Sequence, residues 1–162
     1  MINEMSEEEA IVAFYSTCAC DEFAKTMTKL RPFKNIEMLK EKTKIVFEGL
    51  TKEQWKESFE GHPKIGDVAS LKEKYQSTKS MVAGEQAGVN HASDEVINDL
   101  ALYNEKYLTK FGYIFIVCAS GKSAAEMLAI LRKRIENNPE EEIFIASQEQ
   151  LEITYLRMEK LL

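Results

Sequence analysis

Apolar residues recur three and four positions apart along most of this chain, and nearly every such run opens on a side chain able to cap a helix. Ser6 with Glu9 makes a capping box ahead of Ile11, Phe14, Tyr15 and Cys18. Asp21 is set to cap a second helix, with Phe23, Met27 and Leu30 on one side and Arg31-Pro32 as its stop. Asn35 starts a third, with Ile36, Leu39 and Val46 inward and Gly49 at its end. Thr51 and Gln54 form the next capping box, on a helix that carries Trp55 and Phe59 and runs toward His62. Asp67 or Ser70 opens a helix through Leu71 and Tyr75, followed by a polar loop to Ser80. Ser93 caps the run Val96, Leu100, Tyr103, Tyr107, which stops near Phe111-Gly112. Ser123 with Glu126 precedes Met127, Leu128, Leu131 and Ile135. Pro139 suits the first turn of a last helix whose Glu140, Glu141 and Glu142 complement the positive end of its dipole. The pattern predicts an all-α fold of about eight helices in one domain, residues 1–162, without an extended sheet. Tyr113 to Ala119 is the exception, an apolar run that fits a short strand and a buried helical segment equally well.

The last helix carries two stripes. Phe144, Leu151, Tyr155, Met158 and Leu162 form the more apolar one, which predicts packing there, while Ile143, Ala146, Gln150, Ile153 and Arg157 form the other. An inward Arg157 needs an anionic partner, because an uncompensated buried charge is strongly unfavourable. On the flank of the stripe its stem would instead cover apolar surface while the guanidinium reaches water.

Composition narrows the function without choosing it. A chain of 162 residues, 44% hydrophobic and 30% charged, has enough material for one core. With 21 Lys+Arg against 27 Asp+Glu, a net charge of -6 offers no footprint for nucleic acid or an anionic membrane, so an anionic ligand requires locally placed cations. No apolar run approaches the roughly 20 residues that span a bilayer, and the first residues lack the order of a signal peptide, so a cytoplasmic protein is expected. Cys18, Cys20 and Cys118 form no CxxC pair, which fits a reducing compartment and argues against a metal site.

The chemistry-bearing stretch is Gly61-His62-Pro63-Lys64-Ile65-Gly66-Asp67. Proline pushes the residue before it out of the α region, so His62 sits where a helix has just ended, with a glycine on either side of the motif to let the chain turn. Read locally, His62 is either a helix-end cap or a proton-transfer group working near its unperturbed pKa of about 6.5. There is no HExxH, no GxSxG elbow and no complete phosphate-binding loop. Proton chemistry without a cofactor remains: His62, Glu85 and Gln86 in a small-residue segment, and Arg157 for an anion. These groups suffice to decarboxylate a small acid whose own conjugated system accepts the electrons.

In order and spacing, this stretch followed by Gly84-Glu85-Gln86-Ala87-Gly88 resembles the His-Pro and Glu-Gln motifs of the 2-oxo-4-hydroxy-4-carboxy-5-ureidoimidazoline (OHCU) decarboxylases of urate breakdown. The resemblance extends through Arg31-Pro32-Phe33, Lys110-Phe111-Gly112-Tyr113, Arg134-Ile135-Glu136-Asn137 and Ile153-Thr154-Tyr155-Leu156-Arg157. Trp55 and the Val117 to Ser123 segment are similar to the bacterial members. What the resemblance implies is an all-helical, cofactor-free and metal-free enzyme, often a homodimer, that forms (S)-allantoin from OHCU. It also implies His62 and Glu85 as the catalytic pair, either one the base, and Gln86, Arg157, Pro63 and the backbone of Ile116 and Val117 as ligand contacts. Where many members have Trp-Ser before the Glu-Gln pair, this chain has Met81 and Val82, which leaves one donor to be replaced, for example by Ser80. A helical interaction module that kept the fold, or a decarboxylase of a related ureido acid, are the alternative readings.

Overall fold

Side-chain caps decide where the helices begin. Ser6 accepts from the Glu9 amide at 3.2 Å while Glu9 accepts from the Ser6 amide at 2.9 Å, opening α1 (Glu7–Thr17). The same reciprocal boxes open α4 (Lys52–Glu60) from Thr51 and Gln54, and α7 (Ala124–Arg134) from Ser123 and Glu126. Asn35 caps α3 (Ile36–Glu48), Asp67 holds the Ser70 amide in the first turn of α5 (Val68–Gln76), and Ser93 caps α6 (Asp94–Phe111). Two helices remain, α2 (Asp21–Lys29) and α8 (Pro139–Met158). The cap of α2 is Cys20, without a side-chain bond, and Asp21 is its first helical residue rather than the expected cap. The computed structural model describes residues 1–76 and 92–162, and among these the fold is all-α, eight helices without a strand.

The described residues fall into two compact units. The first contains Met1–His62, Ile116–Cys118 and Ile143–Leu162. Its core gathers Phe14, Phe23, Met27, Leu39, Phe47 and Met158, all excluded from solvent, with Cys18 and Cys20 wholly buried among them. Four of the expected inward residues are exposed instead: Tyr15, Leu30, Phe144 and Leu162. Within this unit α8 buries Ile143, Ala146, Ser147, Gln150, Leu151, Thr154 and Met158, a stripe that merges parts of the two predicted ones. Arg31 ties the N-terminal residues down, its Nη1 donating to the carbonyls of Ile2 at 3.0 Å and Met5 at 2.6 Å.

The second unit contains Pro63–Phe115 and Ala119–Glu142. Here α6 packs on α5 and α7, and Tyr107 sits among the rings of Phe111, Tyr113 and Phe115 at 4.6, 5.9 and 5.3 Å. Helix α6 ends on Gly112 at φ 83, a left-handed conformation that glycine adopts without strain. Glu142 stands in the first turn of α8, as expected, and is wholly buried there. Its carboxylate accepts from Arg134 Nη2 at 2.6 Å and Nε at 3.0 Å, from Asn137 Nδ2 at 3.1 Å and from the Tyr107 hydroxyl. Lys110 donates to the carbonyls of Ile135 and Asn137 just past α7.

The Tyr113 to Ala119 segment is neither strand nor helix. Instead of joining a ladder, the Cys118 amide donates to the Glu149 side chain at 3.3 Å, within the first unit. Among the described residues no helix is long and apolar enough to cross a membrane.

Candidate functional site

Helix α4 ends at Gly61, and the His62 amide donates to the Phe59 carbonyl at 3.2 Å, so the histidine follows directly on the last turn, as the Pro63 rule predicts. Gly61 is required there for space. A Cβ added to it would lie 2.3 Å from the Ala19 Cβ, in the turn between α1 and α2. Gly61→Ala is therefore expected to destabilise the protein by about 1–3 kcal/mol, as overpacked sites do, read as a lower urea midpoint at unchanged slope.

The half-buried His62 ring meets α8. Its Nε2 lies 2.5 Å from Gln150 Oε1. Gln150 is wholly buried, and its Nε2 donates to Thr154 Oγ1 at 3.1 Å. The Thr154 hydroxyl, also wholly buried, faces two carbonyls, that of Gln150 at 2.9 Å and that of Thr17 at 3.3 Å. Arg157, half-buried one turn along, donates from Nη1 to the same Thr17 carbonyl at 3.3 Å. Its partner among the described residues is thus a carbonyl at the end of α1, not the carboxylate an inward arginine was expected to need. Burial holds the imidazole below its usual pKa; the Gln150 bond opposes this, and the Arg157 charge adds to it. A neutral imidazole at physiological pH is the form that accepts a proton.

The predicted residues divide three ways. His62, Arg157, Ile116 and Val117 all fall in the first unit, with Ile116 buried and Val117 partly so. Pro63 follows His62 and is exposed. Glu85 and Gln86 lie outside the described residues, as do Ser80, Met81, Val82 and His91. Sequence reasoning put Gln150 on an inward stripe without giving it a task, and it passed over Thr154. The available signal was their spacing, two polar side chains four apart on a buried helix face. Among the described residues no group of three or more His, Cys, Asp or Glu side chains converges as a metal-ligand set.

Comparison with known proteins points one way. Residues 3–159 match the family model for OHCU decarboxylase. The uric acid degradation bifunctional protein TTL of Arabidopsis thaliana is 37% identical over 161 residues, 99% of this chain and 48% of that protein, so the chain spans about half that relative's length. The 2-oxo-4-hydroxy-4-carboxy-5-ureidoimidazoline decarboxylase of Halalkalicoccus jeotgali is 22% identical over 138 residues, 85% of this chain and 76% of that protein. Among solved structures, an OHCU decarboxylase crystallised in the presence of (S)-allantoin is 34% identical with a TM-score of 0.74, covering 97% of this chain and 98% of that one.

Proposed function

Because the chain belongs to the OHCU decarboxylase family, we propose that it converts OHCU to (S)-allantoin in urate breakdown with side chains alone, without a cofactor. The observation that carries this reading is His62, a histidine kept neutral by burial and oriented by Gln150, in the same unit as Arg157 and the 116–118 backbone. OHCU bears a carboxylate and a hydroxyl on one ring carbon, next to an imine. As the bond to the carboxylate breaks and carbon dioxide leaves, its electron pair passes into the imine, whose nitrogen takes a proton from solvent. The hydroxyl then gives up its proton and becomes the ring carbonyl, while a proton joins the neighbouring carbon on one face. His62 or Glu85 accepts the hydroxyl proton. Gln86 orients the ureido or ring amides, Arg157 holds a ring carbonyl or the carboxylate, and the backbone of Ile116 and Val117 meets the ring. Pro63 fixes the backbone of His62. Residues 1–162 work as one domain in this reading, supported by the family match over nearly the whole chain. The protein acts as a cytoplasmic homodimer, a state that light scattering on the purified chain tests directly.

The test of the activity uses OHCU made freshly from urate by oxidation and hydrolysis. Optically active (S)-allantoin should form faster with the protein than without it, and racemic product at the spontaneous rate would refute the reading. The pH profile follows from the direction of the His62 shift. The base works unprotonated, and a pKa held below about 6.5 keeps it so to lower pH. The rate constant kcat/KM is therefore expected to hold at pH 6.5 and to fall only on the more acid side.

A further inference from the structure

The chain of buried polar groups behind His62 fixes more than the position of its ring. Thr154 has a single hydroxyl proton, and besides the Gln150 amide its neighbours are the carbonyls of Gln150 and Thr17, which accept only, and the Cys18 thiol. With that proton given to the Gln150 carbonyl at 2.9 Å, the Thr154 oxygen acts as an acceptor toward the Gln150 side chain. The Gln150 amide must then turn its NH2 to Thr154 and its carbonyl oxygen to His62, the arrangement seen at 3.1 and 2.5 Å. A carbonyl oxygen opposite Nε2 requires a proton on Nε2. In the neutral ring this leaves the lone pair on Nδ1, which makes no hydrogen bond among the described residues.

From this geometry we propose that Gln150 is a positioning residue for the decarboxylation. Anchored by Thr154, it holds His62 as the Nε2–H tautomer and so makes Nδ1 the nitrogen that exchanges a proton with the substrate. This rests on the OHCU reading for the identity of the reaction, but the tautomer itself does not. Gln150 and Thr154 are wholly buried, Gln150 against the imidazole and Thr154 behind Gln150. Arg157 reinforces the arrangement by donating to the Thr17 carbonyl that also faces the Thr154 hydroxyl. The sequence alone placed Gln150 beside Ile143 and Ala146 and gave no reason for an amide there.

Long-range proton–nitrogen NMR of the wild-type chain, labelled at its histidines and held above the His62 pKa, reads the tautomer directly. The expected spectrum has His62 Nε2 in the protonated range and Nδ1 in the unprotonated range. Gln150→Leu removes the acceptor, so the two nitrogen shifts should move toward each other as both tautomers populate. Its kcat should fall roughly tenfold or more, as when an orienting partner of a functional histidine is lost, with KM within about twofold. Gln150→Glu keeps an oxygen opposite Nε2 and should restore the wild-type tautomer. Thr154→Ser should retain rate and spectrum, and Thr154→Val should lose part of both. If Gln150→Leu does not fold, the wild-type spectrum and the Thr154 pair decide. A proton on Nδ1 in the wild type, or a Gln150→Leu variant with wild-type shifts and kcat, overturns the proposal. A wild-type chain with the expected spectrum and no OHCU turnover overturns the functional reading and leaves the tautomer assignment standing.

Discussion

His62→Ala is expected to lower kcat for OHCU decarboxylation by about 10²–10⁴-fold, the usual contribution of a positioned acid–base group. Because proton transfer occurs in the transition state, kcat and kcat/KM should fall together while KM changes little. The substitution also leaves Gln150 Oε1 buried with its ring partner gone, which costs about 1–3 kcal/mol for an unsatisfied polar atom. A folded but slow enzyme is the expected result. Circular dichroism and a urea titration establish the fold, and the rate of optically active allantoin formation establishes the loss. Full activity in a folded His62→Ala protein would remove the imidazole from the mechanism and leave Glu85 as the base.

The largest expected stability effect lies in the second unit. Glu142 is wholly buried and carries four hydrogen bonds, two of them from Arg134, whose guanidinium also stands 4.6 Å from the Phe115 ring centroid. Arg134→Met keeps much of the side-chain volume but leaves the carboxylate facing only Asn137 and Tyr107. Removing one partner of such a pair costs about 3–5 kcal/mol, because the other charge stays out of water. Replacing both, Arg134→Met with Glu142→Leu, should recover most of that loss, since two apolar side chains bring no charge to desolvate. Urea midpoints of the two single variants and the double variant give the coupling, and a single-variant loss below about 1 kcal/mol would mean that water reaches the pair.

Local chemistry was legible and long-range chemistry was not. The capping boxes at Ser6, Thr51 and Ser123 were readable because each is closed within four residues. Periodicity likewise found the helices, but it misplaced Tyr15 and Phe144, because a helix with apolar residues on more than one side does not state which side meets a neighbour. The Tyr113 to Ala119 run read as strand or helix because its composition records burial rather than backbone geometry, and its partner Glu149 lies some 30 residues away. For the site, the motif spelled out His62, yet its orienting partner is 88 residues distant, and Thr154 reaches Thr17 across 137. Some of the residues that carried the resemblance, Arg31, Lys110 and Arg134 among them, make scaffold contacts within their own units. A family can thus be recognised partly from residues with no direct part in its chemistry.

Cys18 and Cys20 sit in the first unit's core beside the end of α1. Burial pushes their thiols up to about 12 and about 11 respectively, Cys18 further by the neighbouring Cys20, while Cys118 is partly exposed. At mildly alkaline pH the two core thiols are therefore both unreachable and essentially free of thiolate, the reactive form. A thiol reagent added to the native protein will meet Cys118 first, and the two slower reactions will run only as fast as the unit behind His62 opens. The unmodified chain thus supplies its own labelling clock for that opening, readable in every variant above without an added probe.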